Sequence, residues 1–229
     1  MESLKEKLKE QNVLKTITEL QKEATQFLAK KLVIKGVNIF PKEIEVYYYK
    51  EGEFEDSSVH RNELQKNNKN HFYVHRYGLA KMDKFKGGNR AGVDFVVSEK
   101  ENTYYSYLIR SAVINDGNPV VGPNKVLRAI KEACNISSFT ELETNAVELV
   151  ANEMPDVVLF SERINLGENS GNFRDCELRA VVCDDLFIET KYPAKEKMII
   201  KYLQNKDNQQ AQLFAKDKLG YIPSIIRNK

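Results

Sequence analysis

The sequence predicts one α+β domain built on a largely antiparallel sheet. Short β-rich runs joined by polar turns recur in the middle of the chain, as in Val93–Ser98 and Tyr104–Ile114 linked by Glu99–Thr103. Helical spacing of apolar residues marks the N-terminus, the stretch after Gly122 and the tail. The 229 residues, 41% apolar and 30% charged, are enough for a sizeable core and carry no internal repeat or low-complexity linker.

Taken in order, Leu4, Leu8, Leu14, Ile17, Leu20, Ala24, Phe27 and Leu28 fall at three- and four-residue steps among Lys, Glu and Gln. They predict an amphipathic helix over residues 1–32, or two with a break near Asn12, added to a domain of residues 33–229. Covering a sheet is the ordinary use of such a face; a dimerising coiled coil is the alternative. The apolar run Leu32–Ile39, broken by Gly36, reads as a strand, and Pro41 restricts Phe40 and turns the chain into the next one. Residues 50–71 read as a charged loop with a helical turn at Asn62–Lys66, and Phe72–Tyr77 as a strand. Gly78–Gly92, with four glycines, reads as a mobile loop or a hairpin tip. Helices are expected from Pro123, over Ser138–Ala151 and from Tyr192 to Ala215. Strands are expected at Val157–Phe160 and Glu177–Cys183, with an Asn/Gly-rich loop at Arg163–Gly171 between them and an irregular end from Gly220.

Several functions are excluded early. Cys134, Cys176 and Cys183 form no CxxC pair, and with three histidines neither a zinc site nor a disulfide framework is expected; no cofactor is implied. There is no membrane-spanning run and no secretory signal, so a reduced, cytoplasmic protein is expected. The net charge of +2 does not by itself point to nucleic acid. Locally, Lys81, Lys84 and Lys86 lie between Arg76 and Arg90 against one acid, Asp83. Such residues in a glycine-rich loop also serve simple solvation.

Alternation from Glu43 to Tyr47 places Glu43, Glu45 and Tyr47 on one strand face and Ile44, Val46 and Tyr48 on the other. Two carboxylates and a phenol suit either solvent or a polar pocket. Four pieces in chain order favour the pocket, because together they resemble the alkyladenine (3-methyladenine) DNA glycosylase family. They are Glu43-Ile-Glu45-Val-Tyr47; Glu55-Asp-Ser-Ser-Val-His60; Phe72-Tyr-Val-His-Arg-Tyr77-Gly78; and Leu108-Ile-Arg110 followed by Gly122-Pro-Asn-Lys125-Val. A weaker echo lies in Arg163-Ile-Asn-Leu-Gly167 and Glu177-Leu-Arg179, so the likeness covers about residues 25–190.

The resemblance implies a curved, barrel-like sheet flanked by helices and an enzyme that removes a damaged or modified purine from duplex DNA. Glu45 would be the general base for water, and Arg110 would hold it or the water in place. Tyr47 and His60 would sandwich the flipped base, with Tyr73 as a third wall. Tyr77 would fill the gap in the duplex, while Lys81, Lys84, Lys86, Arg90 and Lys125 grip phosphates. No lysine falls in the matched pocket, so no Schiff base is implied. A monomer is expected, with the N-terminal helix available for self-association. Departures include His75-Arg76 where the family is apolar, and Asp94 where the family has an asparagine. Beside Glu45, Asp94 would raise the pKa of one of the two and create an acid. A protein that keeps this fold and binds DNA or free nucleotides without excising bases is the other reading of the same residues. An ion pair without catalytic duty is the other reading of Glu45 with Arg110.

Overall fold

The computed structural model describes residues 2–77, 84–98 and 100–227. Helix α1 (Glu2–Leu28) is one unbroken element, with no interruption at Asn12. Its stripe is used at the C-terminal end, where Leu20, Ala24, Phe27 and Leu28 are buried, whereas Leu14 is left 64% exposed. Strands β1 (Lys30–Ile34) and β2 (Val37–Lys50) follow, then β3 (Phe54–Glu55), α2 (Glu63–Asn67), β4 (Phe72–Val74), β5 (Val93–Val96) and β6 (Thr103–Ile114). After these come β7 (Val120–Val121), α3 (Pro123–Ala133), α4 (Phe139–Thr144), β8 (Glu148–Ala151), β9 (Val158–Ser161) and β10 (Arg179–Val182). The chain ends with α5 (Asp185–Glu189), α6 (Lys195–Tyr202), α7 (Asn208–Leu219) and a turn, α8 (Ser224–Arg227), in the stretch expected to be irregular.

The architecture is α+β, with a curled antiparallel sheet flanked by helices. Its order is β4-β5-β6-β2-β1-β8; β10 also pairs with β2 and carries β9, β3 lies on β2 and β7 on β6. The run Leu32–Ile39 is a tight hairpin rather than a single strand: Ile34 pairs with Val37, and Lys35 and Gly36 both have positive φ, 50° and 80°. Two left-handed residues match the twist of the flanking strands, and glycine adopts the second without a Cβ clash.

Strand β2 then continues through Pro41 instead of turning there. Pairing with β1 stops at Ile39 and pairing with β10 begins at Glu43, so the absent proline N–H falls where β2 has no partner on that side. On its other edge the register with β6 shifts between Pro41 and Glu43 and again before Ile44, which aims both glutamates at one face. The expected helix over Ser138–Ala151 is cut short. Ser138 caps α4, its Oγ accepting from the Glu141 N–H at 3.1 Å, but the chain leaves the helix to pair β8 with the free edge of β1. Edge pairing there outweighs the helical spacing.

The two faces of β2 have opposite character. Ile44, Val46 and Tyr48 stand opposite Ile109, Tyr107 and Tyr105 and join the core covered by α1, where Phe27 lies 4.4 Å from the Tyr107 ring. A second group, including Leu159, Val181, Phe187, Met198, Ile199, Ala211 and Ala215, seats the C-terminal helices on β9 and β10. The remaining face of β2 meets β5 and β6 in a polar cavity.

Candidate active site

A cavity of about 590 Å³ opens on that face. It is lined by Glu45 and Tyr47 from β2, Asp94 from β5, Leu108 and Arg110 from β6, His60 from the loop after β3 and Gly122–Lys125 at the start of α3. Such a volume lies in the range of small-molecule sites, about 300–1,000 Å³. Glu45, Tyr47, Asp94, Leu108 and Arg110 are on neighbouring strands, so the ladder fixes their spacing: Glu45 is opposite Leu108, and Leu108 is opposite Asp94.

Glu45 is fully buried. Its Oε1 accepts from the Ile164 backbone N–H at 2.7 Å and lies 3.2 Å from Arg110 Nη1, while its Oε2 accepts from the Tyr47 hydroxyl at 3.0 Å. Burial and then the Glu45 charge push the Tyr47 phenol well above its ordinary value, so it remains a donor. Behind it the Arg163 guanidinium stacks 4.9 Å from the Tyr47 ring and pairs with Asp56 at 2.7 Å, which fixes the ring plane. Arg110 also donates from Nε to Glu43 at 3.1 Å, and Arg179 donates to the same oxygen at 2.7 Å. Burial opposes the Arg110 charge, but Glu45 and Glu43 more than compensate and raise its pKa. Glu43 thus lies in a buried charge cluster at the edge of the cavity.

The floor is a second network. Asp94 accepts at Oδ2 from Ser106 at 2.7 Å and from Gln65 at 3.2 Å, and its Oδ1 lies 2.6 Å from His75 Nε2. Burial would raise its pKa, but the His75 charge and the bonds from His75 and Ser106 reverse this and lower it. Asp94 is therefore held as a carboxylate and is not the acid expected from two carboxylates sharing a pocket. His60 stands beside this group, its ring 4.9 Å from His75. Its Nδ1 lies 3.1 Å from the Tyr73 hydroxyl and its Nε2 lies 2.6 Å from Lys86 Nζ. Burial, His75 and Lys86 push the His60 pKa down to about 3, which leaves a neutral imidazole.

The structure thus brings Glu45, Arg110, Tyr47, His60 and Asp94 around one cavity. Tyr73 does not form a wall: it is completely buried and supports His60 from behind. Of the residues expected to contact phosphates, Arg90 and Lys125 are exposed and border the cavity, whereas Lys84 is exposed but does not. Tyr77 is half-buried outside the lining, its N–H bonded to the Lys84 carbonyl at 3.0 Å, and Lys81 lies outside the described residues. Lys86 corrects the expectation that no lysine reaches the pocket, because it is half-buried in the lining against His60.

Sequence reading missed Gln65, Ser106 and the Ile164 N–H as site groups. Gln65 is the third residue of a helix capped by Asn62, completes a capping box with it and also reaches Asp94. Ile164 is signalled only by the weak echo at Arg163–Gly167, since a backbone donor leaves no mark in side-chain chemistry. No known protein-family model matches the chain, and no curated protein matches it in sequence.

Proposed function

We propose that the protein is an N-glycosyl hydrolase that removes a damaged or modified purine, flipped out of duplex DNA, by a water activated at Glu45. The observation that carries this reading is the bonding of Glu45. A carboxylate has about four acceptor positions. Among the described residues, two on Oε1 are taken by Ile164 and Arg110 and one on Oε2 by Tyr47, which leaves one position on Oε2 for a water.

In this mechanism Glu45 takes a proton from that water as the oxygen attacks C1′ of the sugar, and its residual charge stabilises the oxocarbenium-like centre. Arg110 and the Ile164 N–H hold the carboxylate still. Tyr47 and His60 line the cavity, and their rings are of the kind that grips an extruded base. Neutral His60 donates no proton to the leaving group, so the bond breaks most readily where the base is already a good leaving group, as an alkylated purine is. Arg90 and Lys125 at the border suit the flanking phosphates. The order of motifs shared with the alkyladenine glycosylases supports the same assignment.

Binding without excision is the second reading, favoured by the complete pairing of Asp94, both of whose oxygens are committed to protein donors. Duplex DNA containing an abasic analogue separates the two. The Glu45→Gln protein should bind it with near wild-type affinity while releasing no base from modified DNA. Equal base release by wild type and Glu45→Gln would overturn the hydrolase reading.

A further inference from the structure

Lys86 is placed differently from the other basic residues near the cavity. The segments 75–77 and 84–86 are tied together: Lys86 N–H donates to the His75 carbonyl at 2.8 Å, and Phe85 bridges Arg76 and packs on Phe139 at 5.3 Å. Anchored this way, the Lys86 side chain turns inward, and its Nζ rests 2.6 Å from His60 Nε2. Lys84, two residues earlier, is exposed to solvent, the usual posture of a phosphate-gripping lysine.

We infer that Lys86 is an amine nucleophile for an aldehyde in this cavity, so that the protein carries an abasic-site lyase activity alongside base removal. The inference rests on the proposed function in one respect, namely that the sugar C1′ enters the cavity. Two further observations support it. Burial lowers the Lys86 pKa, with Asp94 opposing and Arg90 adding to the effect, which raises the share of free amine. Nε2 of the neutral His60 imidazole lies 2.6 Å from Nζ, within hydrogen-bond distance of the amine.

The step balances without an oxidant. The free amine of Lys86 adds to C1′ of the ring-opened deoxyribose, forming a C–N bond as the carbonyl π bond opens; the carbinolamine hydroxyl takes a proton from solvent and leaves as water, which gives an iminium. A C2′ proton passes to a water in the cavity, the electron pair forms the C2′–C3′ double bond, and the C3′–O bond breaks with departure of the 3′ phosphate. Water then hydrolyses the iminium and returns the lysine amine. An unsaturated aldehyde remains on the 3′ end of one fragment, and a 5′ phosphate on the other.

The test uses the full chain and a duplex carrying a preformed abasic site, with sodium borohydride as the trap. Wild type should give a covalent protein–DNA adduct that peptide mass spectrometry maps to Lys86. Lys86→Ala and Lys86→Arg should each lower adduct yield and strand cleavage by at least about tenfold. Lys86→Arg keeps the positive charge, so its loss of adduct separates a nucleophile from a phosphate contact. No wild-type adduct, whether or not the abasic duplex is bound, or an adduct that persists in Lys86→Arg and maps elsewhere, overturns the inference. Base release from modified DNA is measured separately. Trapping without release removes only the hydrolase reading, and release without trapping removes only the lyase.

Discussion

Glu43 and Glu45, two residues apart on one face of β2, share the guanidinium of Arg110, whose Nε lies 3.1 Å from Glu43 and whose Nη1 lies 3.2 Å from Glu45. Glu43 is held a second time by Arg179 at 2.7 Å, whereas the other donors to Glu45 are neutral. Arg110 is therefore the charge on which the orientation of Glu45 depends. Lysine at position 110 keeps that charge but loses the planar fork that reaches both carboxylates. Arg110→Lys should lower single-turnover base release by about a hundredfold, the scale of losing one aligned donor at a reacting centre. Unchanged release would reduce Arg110 to a structural ion pair.

Arg76 belongs to the fold rather than to a phosphate-binding surface. Its two terminal nitrogens donate to the two oxygens of Glu143 at 2.5 Å each, and Glu143 also accepts from the Val74 N–H at 2.7 Å. Both side chains are buried. Removing Glu143 takes the carboxylate away from a buried guanidinium, so Glu143→Leu should cost about 3–5 kcal/mol in urea unfolding. A loss under about 1 kcal/mol would place the pair in the class of exposed salt bridges.

The pH dependence has a definite sign. His60 is neutral in the folded protein down to about pH 3, but in the unfolded chain it gains a proton near its ordinary value of about 6.5. Between those values the unfolded state binds more protons, so stability rises with pH and falls as the solution is acidified through that window. Asp94, with its pKa lowered, acts in the same direction but only below its unfolded value of about 3.9. Urea midpoints measured across pH 4–6.5 should fall less steeply for His60→Gln than for wild type. In wild type the His60 ring resonance should stay at its neutral position down to about pH 4; a transition near pH 6 would contradict the packing of His60 against Lys86 and His75.

Arg90 and Lys125 border the cavity from different elements and are both exposed. If each meets one phosphate, Arg90→Ala and Lys125→Ala should each reduce the slope of log affinity against log salt by about 0.9, roughly equally for any sequence. Salt-independent binding by wild type would point to a free nucleoside or nucleotide as the ligand.

The polar face of β2 was legible because its acids alternate with apolar residues, and a period of two maps directly onto a strand. The hairpin at Lys35-Gly36, the passage of β2 through Pro41 and the switch from α4 to β8 were not. Each is decided by which strand edge is free for pairing, and that is a property of the assembled sheet. In the cavity, Glu45, Tyr47, His60, Asp94 and Arg110 were readable as side chains of the right chemistry. The inward turn of Lys86 was hidden, since it follows from the pairing of residues 84–86 with 75–77. The charge state of Asp94 was hidden for a similar reason, as its donors arrive from positions 65, 75 and 106.

The most direct measurement is mass spectrometry of the bases that wild-type and Glu45→Gln proteins liberate from alkylated or otherwise modified duplex DNA. The Glu45 mechanism requires a free modified purine in the wild-type reaction and at least about a hundredfold less in the Glu45→Gln reaction. Equal release by the two proteins, or no released base from wild type on any modified duplex it binds, would contradict it.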